Sequence, residues 1–209
     1  MHLGLATTPQ HHRDDFVAAE ADREAVARVD GHAAGALALV GPPGAGKTHL
    51  ARAWAAARGA QALDARTGAV PESAGAVLVD GADAAGVSDA LLFGLIEGAA
   101  RLGRPLLLTG RTPPADWPVR LPDLRSRLNA LPVAELSEPD EAALAHLLTV
   151  FFRERGVAPS PELVAYLVRR IERSAAAARE AVRRLDDAAH ATGRPVGRGL
   201  AREVLEGRA

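Results

Sequence analysis

The chain has 209 residues, with 25 basic and 26 acidic side chains and a formal net charge of −1. This length suffices for one α/β domain and a smaller appendage. The balanced charge, without a basic block, leads us to expect little direct sequence-specific DNA binding. Cysteine is absent, which excludes disulfides and thiolate metal sites and agrees with a reducing, cytoplasmic location. Every apolar run is shorter than the ~18 residues that a transmembrane helix needs, so we expect no membrane span.

Short apolar runs and helical patterns alternate in the first two thirds of the chain. Residues 1–15 lack periodicity and are predicted to form a flexible N-terminal arm, and an amphipathic helix is predicted at 19–30. The following runs end in glycine or polar turns and predict strands at 36–40, 61–65, 76–80, 105–109 and 131–136. Between them, helices are predicted at 48–58 and 88–101. This alternation predicts a parallel sheet that is covered by helices on both faces.

Only helical periodicity remains after about residue 138. The first helix there carries one apolar stripe at helical spacing, formed by Leu144, Leu147, Leu148, Phe151 and Phe152. Ser160, between two prolines, is the predicted N-cap of a second helix that runs to about residue 173. Two more helices are predicted at 175–191 and 199–205. We therefore predict an α/β domain at 16–137, followed by a small all-helical domain at 138–209.

The first predicted strand leads into a glycine-rich loop, Gly41-Pro42-Pro43-Gly44-Ala45-Gly46-Lys47-Thr48. It fulfils the P-loop pattern G-x-x-x-x-G-K-[ST], and the strand before it and the helix after it give the expected context. The glycines let backbone N–H groups turn toward an anion, and the helix N-terminus adds about half a positive charge. Lys47, the only lysine in the chain, is predicted to reach the β- and γ-phosphates of ATP or ADP, and Thr48 to bind Mg²⁺. His49 is a further candidate nucleotide contact, with a structural role as its alternative.

An acid at the tip of a neighbouring strand completes a P-loop Mg²⁺ site, and Asp80 is the predicted acid here. Many P-loop ATPases place a second carboxylate directly after this residue to activate water. In this chain Gly81 follows, and the nearest acid is Asp83. The sequence therefore predicts nucleotide binding with slow or absent intrinsic hydrolysis. Thr109, at the end of another predicted strand, is a candidate contact to the γ-phosphate, or else it only closes the strand.

Three segments, VGPPGAGKTHLARAW, LLLTGRTPPADW and LPDLRSRL, occur in this order along the chain. Together they resemble the DnaA/Hda family of AAA+ ATPases, in its phosphate loop, its sensor 1 strand and its arginine-finger segment. The resemblance covers nearly the whole chain and implies that Arg127 is the arginine finger, with Arg125 as a weaker candidate. The structural alternative for Arg127 is an ion pair within the chain, for instance with Asp123. The helices after residue 138 resemble the family's lid.

The resemblance also implies roles in the lid and at the chain ends. The sensor 2 position falls at Ala176, so Arg173 or Arg179, one turn on either side, is the candidate, with a solvated side chain as the alternative for either. We include Arg179 among the nucleotide-binding residues. The chain stops at Ala209, after the lid, as in the shorter regulatory members of the family. The family's clamp-binding segment corresponds to residues 1–5, which have leucines but lack the glutamine, so the motif is weak and a disordered tail is its alternative.

The function that the resemblance implies is regulatory. Such a protein binds ADP or ATP with Mg²⁺, associates with the DNA polymerase sliding clamp, and promotes hydrolysis of the ATP held by the replication initiator DnaA. A homo-oligomer is also compatible with the family. Two other functions stay open: an ATPase of the helicase-loader type or a small kinase that acts on its own nucleotide, and a binding module in which the nucleotide is only structural.

Overall fold

The computed structural model describes residue 16, residues 20–72 and residues 75–207. The predicted N-terminal arm and the clamp-binding segment lie outside the described residues. Five strands are present in the described part: β1 (Ala36–Val40), β2 (Gln61–Leu63), β3 (Val77–Val79), β4 (Leu106–Thr109) and β5 (Val133–Glu135). The same part contains eight α-helices: α1 (Arg23–Gly31), α2 (Lys47–Arg58), α3 (Asp89–Leu102), α4 (Pro122–Asn129), α5 (Glu141–Glu154), α6 (Pro161–Val168), α7 (Ala175–Thr192) and α8 (Arg198–Leu205).

The five strands form one parallel sheet in the order β2-β3-β4-β1-β5. Successive side chains of β4 point to opposite faces, as the two-residue period of a strand requires. Leu107 belongs to the apolar cluster under α1 and α2, whereas Leu106 and Leu108 belong to the cluster under α3 and α4. Both faces of the sheet are therefore covered, which confirms the predicted fold class.

The carboxyl ends of these strands meet at one edge because the strands are parallel. β1 ends at Val40, directly before the glycine-rich loop, and β4 ends at Thr109. Asp80 follows β3, which is paired with β4. Three separate segments of the sequence are thus brought to the same edge of the sheet, where ligands of open α/β sheets bind.

Helices α5 to α8 pack around an apolar cluster of their own. Every residue of this cluster, from Leu144 to Leu205, lies in the helical segment after β5. Three of the helices begin at side-chain caps: Asp140 accepts from the Ala143 amide, Ser160 from the Leu163 amide and Ser174 from the Ala177 amide. The N-cap prediction for Ser160 is confirmed. Because the cluster takes no residue from either face of the sheet, we keep the domain boundary near residue 137 as a proposal.

Two helices differ from the sequence prediction. α6 ends at Val168 instead of about 173. A short turn follows it, and Ser174, with an extended φ of −145°, caps the start of α7. The segment LPDLRSRL forms the unpredicted helix α4, which begins with Pro122 in the first turn, where proline's missing N–H is harmless. Asp89 on α3 accepts hydrogen bonds from the Arg120 and Leu121 amides and so fixes where α4 begins.

A last feature of the fold concerns membranes. None of the helices in the described part of the chain combines the length and the apolar character that crossing a bilayer requires.

Candidate functional site

The backbone of the glycine-rich loop depends on glycine for two reasons. Gly41, Gly44 and Gly46 have φ angles of +147°, +83° and +92°, which side chains rarely adopt. A Cβ atom on Gly41 would overlap the carbonyl oxygen of Leu136, and one on Gly44 would overlap the side chain of Ser174. The loop is therefore held tightly between the end of β5 and the start of α7.

The Lys47 ammonium lies inside this loop. Its Nζ donates hydrogen bonds to the carbonyl oxygens of Gly41 and Pro42, each at 2.7 Å. Burial lowers the pKa of Lys47, opposed by the negative charges of Asp83 and Asp80 and reinforced by the positive charge of Arg111. Since neither hydrogen-bond acceptor is charged, an anion that enters the loop can take over the ammonium without breaking an ion pair.

Hydroxyl groups surround the Asp80 carboxylate. Its Oδ1 accepts from Thr109 Oγ1 at 2.7 Å and from Thr48 Oγ1 at 3.1 Å, and the Gly81 amide donates to Thr109 Oγ1 at 2.8 Å. Arg52 lies 3.8 Å from Oδ2. Thr109 is buried and orients the carboxylate, which goes beyond closing a strand. Thr48 and Asp80 present adjacent oxygen atoms, the ligand type that Mg²⁺ prefers.

Metal sites built wholly from protein side chains are absent from the described residues, where no group of three or more His, Asp or Glu side chains could hold an ion. Mg²⁺ usually takes one or two protein oxygens and completes its shell with water and substrate phosphate. The pair of Thr48 and Asp80 suits such a shared site.

Two cavities adjoin the glycine-rich loop, and both are lined by Gly44 and Thr48. The first, which we call the apolar cavity, has a volume of about 260 Å³ and lies between the loop and the helical segment. Its lining includes Phe16, His49, Leu147, Phe151, Ala176 and Arg179. The second, the polar cavity, has a volume of about 360 Å³. Its lining includes Lys47, Asp80, Asp83, Thr109 and Arg111.

The two cavities together suit an elongated ligand with a flat apolar end and an anionic end. His49 lines the apolar cavity, and its ring centroid lies 6.0 Å from that of Phe16. Of the two sensor 2 candidates, Arg179 lines this cavity, stacks 3.9 Å from the Phe151 ring centroid and pairs with Glu154. Arg173 instead pairs with Glu141, at 3.0 Å, and does not line the cavity.

Arg127 lies outside both cavities. Its Nη1 is 2.6 Å from Glu97 Oε1, and its Cζ lies 5.1 Å from the centroid of the Phe93 ring. The structural alternative for Arg127, an ion pair within the chain, is therefore present, but its partner is Glu97 and not Asp123, because α3 packs beside α4. The Arg127 side chain is still 40% exposed.

Arg125, the weaker finger candidate, is committed to the loop before α4. Its guanidinium donates to the carbonyl oxygens of Ala115 and Trp117. Through these bonds Arg125 has a structural role, because it holds the loop before α4 in place. Of the two arginines, Arg127 is the one whose guanidinium is not tied to the backbone of its own chain.

Two features of the site carry no clear signal in the sequence. Asp22, which is buried, accepts from the Ser137 amide at 2.9 Å and from its hydroxyl at 2.6 Å. This pair joins the segment before α1 to the connection between sheet and helical segment, and both residues line the apolar cavity. Arg111 also lines the polar cavity, and the sequence indicates it only through its place in the segment LLLTGRTPPADW, two residues after a predicted strand end.

Among known proteins, only solved structures match this chain; no protein-family model and no curated protein matches the sequence. Domain III of the Thermotoga maritima replication initiation protein DnaA matches with a TM-score of 0.77 at 17% identity, over 96% of this chain and 97% of that one. The Thermotoga maritima RuvB Holliday junction branch migration motor matches with a TM-score of 0.71 at 17% identity, over 94% and 72%.

A third solved structure is a replication initiator DnaA bound to AMPPCP and single-stranded DNA. It matches with a TM-score of 0.66 at 15% identity, over 84% of this chain and 64% of that one. Identities this low establish the fold alone. The chain therefore has the fold of DnaA domain III and RuvB, with a parallel sheet followed by a small group of helices.

Proposed function

We propose that this protein binds ADP or ATP with Mg²⁺ and acts as a nucleotide-controlled regulator of replication initiation. In this role it promotes hydrolysis of the ATP held by the initiator DnaA. The observation that carries the proposal is that the glycine-rich loop lines both an apolar cavity, which suits a base, and a polar cavity, which suits phosphates.

The nucleotide binds across the loop. Its base and ribose occupy the apolar cavity, and its phosphates take the Lys47 ammonium from the carbonyl oxygens of Gly41 and Pro42. Thr48 and Asp80 hold Mg²⁺, which neutralises phosphate charge when bound. Thr109 fixes the Asp80 carboxylate and so defines where the ion sits.

The helical segment acts as a lid that senses the nucleotide. The Ala175 amide at the start of α7 donates to the Gly44 carbonyl at 3.3 Å, and Arg179 on the same helix lines the apolar cavity. A bound nucleotide contacts both the loop and α7, so it favours one angle between the sheet and the lid. This angle controls how the protein presents Arg127 to a partner.

Arg127 acts on the partner's nucleotide. It lies outside this chain's own cavities and is partly exposed, and Gly81 stands where a water-activating acid is expected. A guanidinium inserted into the DnaA site stabilises the charge of the transition state, and such fingers increase the rate by roughly 10³–10⁵. The sliding clamp, contacted through residues 1–5, brings the two proteins together on DNA.

The test is an assay that mixes this protein, DNA-loaded clamp and ATP-bound DnaA. The wild type should accelerate hydrolysis, and Arg127→Ala should abolish the acceleration. Arg120→Ala is the matched control, because Arg120 is exposed and lies just before α4. No acceleration by the wild type, or equal acceleration by Arg127→Ala, would reject the regulatory role. A pull-down with the clamp, with and without residues 1–6, tests the N-terminal contact.

A second candidate function is an ATPase of the helicase-loader type that acts on its own nucleotide. The observation in its favour is Asp83, whose carboxylate lines the polar cavity and is available as a base in place of the residue after Asp80. Against it, Asp83 Oδ2 accepts a hydrogen bond from the Arg111 amide at 2.6 Å. Steady ATP turnover by the protein alone, lost in Asp83→Asn, would support this function.

A further inference from the structure

Four exposed arginines lie where α6 ends and along α8, and we call them the arginine patch: Arg169, Arg170, Arg198 and Arg202. Arg169 and Arg170 directly follow α6. Arg198 and Arg202 are four residues apart on α8 and therefore lie on one face of that helix. None of the four guanidinium groups forms an ion pair or a hydrogen bond with another described residue. Their N–H groups are therefore available to an external anion.

The ring of Tyr166 on α6 holds two members of the arginine patch close to each other. The Cζ atom of Arg170 lies 3.9 Å from the ring centroid, and that of Arg198 lies 5.4 Å from it. An aromatic ring attracts a cation to its face, so it positions both guanidinium groups without using their N–H groups. Two like charges from different helices are thus kept together although no carboxylate joins them.

The composition of the helical segment does not reveal this concentration of positive charge. Residues 138–209 contain twelve arginines and eleven acids, so the segment is nearly neutral as a whole. In its described part, ion pairs join arginines outside the patch to Glu141, Glu154, Glu180, Asp186, Asp187 and Glu203. Glu172, the acid nearest to Arg170 in sequence, forms no ion pair with a described arginine. The positive charge at the end of α6 and along α8 therefore remains uncompensated.

The backbone of duplex DNA is the anion that suits this surface. A guanidinium offers two parallel N–H groups to phosphate oxygens. Proteins that bind single strands stack the bases on aromatic side chains, but the aromatic residues of the helical segment are buried, namely Phe151, Phe152 and Tyr166. Protein partners usually add apolar anchors to charged contacts, and Tyr166, at 7% exposure beside its arginines, offers none. Phosphates in a regular row need neither feature.

We propose that the arginine patch binds the sugar–phosphate backbone of duplex DNA without preference for sequence. Backbone contacts carry no direct sequence information, so this binding agrees with the expected lack of sequence-specific DNA recognition. The patch belongs to α6 and α8, and neither helix lines the apolar or the polar cavity. The inference is therefore independent of the nucleotide site. Contacts to a few phosphates are weak alone and gain effect when a partner already holds the protein on DNA.

The experiment measures binding of a short labelled duplex to the full chain by fluorescence anisotropy over a series of salt concentrations. The double variant Arg170→Gln/Arg198→Gln should bind at least about tenfold more weakly at low salt. The slope of log affinity against log salt should fall by about 2, because each lost phosphate contact contributes about 0.9. The matched control is Arg66→Gln/Arg183→Gln, which changes net charge equally but removes exposed arginines that have ion-pair partners. It should bind like the wild type.

A second double variant guards against an effect on folding. Glutamine keeps part of the arginine stem over Tyr166, so Arg170→Gln/Arg198→Gln should unfold at nearly the wild-type temperature. Arg169→Gln/Arg202→Gln removes two charges of the patch that make no contact with an aromatic ring in the described chain. It should also lower the salt slope by about 2. An unchanged slope in this variant would overturn the proposal.

Three further results would also overturn it. Wild-type protein that does not bind the duplex at low salt has no DNA-binding surface. Equal weakening in Arg170→Gln/Arg198→Gln and in the control Arg66→Gln/Arg183→Gln would assign the effect to net charge instead of the patch. Tighter binding of polyglutamate than of the duplex, at equal concentration of charge, would identify an acidic protein as the partner. Equal affinity for duplexes of different sequence is the expected result.

Discussion

The polar and the apolar cavity adjoin the same loop but are built in different ways. The polar cavity is formed by the loop and by residues that follow β3 and β4, which the sheet fixes through backbone pairing. The apolar cavity is assembled from distant parts of the chain: the segment before α1, the loop with the start of α2, the connection at Ser137 and Pro139, and the helices α5 and α7. In the proposed function, the polar cavity, whose residues the sheet holds in place, recognises the phosphates. The apolar cavity, which includes residues of the helical segment, couples the bound base to the position of that segment.

The polar cavity is tested first, by removing its half-buried cation, Lys47. Lys47→Ala should reduce the affinity for both ADP and AMPPCP by at least about 100-fold, since two or more charged hydrogen bonds to phosphate are lost. Lys47→Arg should rescue little, because a planar guanidinium does not fit inside the loop. Calorimetric titration measures both. Full retention of affinity by Lys47→Ala would show that the loop does not bind phosphate.

Gly44, which packs against Ser174, tests the contact between the glycine-rich loop and the start of α7. Gly44→Ala should lower the free energy of unfolding by more than about 2 kcal/mol, because a left-handed backbone costs a side chain roughly 1–2 kcal/mol and the new Cβ also overlaps Ser174. ADP should no longer raise its unfolding temperature. Gly59→Ala is the matched control, since Gly59 also has a positive φ (+58°) but a Cβ added there would meet no atom within 4 Å.

The outcome that contradicts this prediction is equal destabilisation by the two glycine variants. The overlap with Ser174 would then have no consequence, and the loop and α7 would not be coupled. A larger loss in Gly44→Ala, together with a lost response to ADP, would assign the difference to the contact between the loop and the lid.

The apolar cavity is tested at Arg179, which lines it. Arg179→Ala should weaken ADP and AMPPCP equally, by about two- to fivefold, the magnitude of one partly exposed cation contact. Arg173→Ala, which removes an arginine paired with Glu141 away from the cavity, should leave both affinities unchanged. A triphosphate-selective loss in Arg179→Ala would mean that the cavities are assigned to the wrong ends of the nucleotide.

The different construction of the two cavities also explains which parts of the site could be predicted from the sequence. The polar cavity follows from local patterns: the strands around 36–40, 76–80 and 105–109 are short apolar runs, and parallel strands bring their ends together. The apolar cavity depends on contacts between distant segments. The bond from Ser137 to Asp22 joins residues 115 apart in the chain, and no local periodicity reports such a pair.

The ion-pair partner of Arg127 could not be predicted from local sequence patterns either. Asp123 lies four residues before Arg127 and is the partner that helical spacing favours, but the arginine pairs with Glu97 on another helix. Only the packing of α3 against α4 determines this choice, and α4 itself is too short for periodicity to reveal. The finger role of Arg127 stays a prediction, because it concerns a partner's nucleotide.

The smallest expected effect lies outside both cavities, at Glu97. The side chains of Glu97 and Arg127 are 42% and 40% exposed, and such exposed ion pairs contribute about 0–1 kcal/mol. Glu97→Gln should therefore leave both nucleotide affinities and the unfolding temperature nearly unchanged. If the pair restrains the finger, its removal should increase the acceleration of DnaA-bound ATP hydrolysis by up to about fivefold. The assay with DNA-loaded clamp measures this, and a large loss of acceleration would instead mean that Glu97 orients Arg127 for the partner's site.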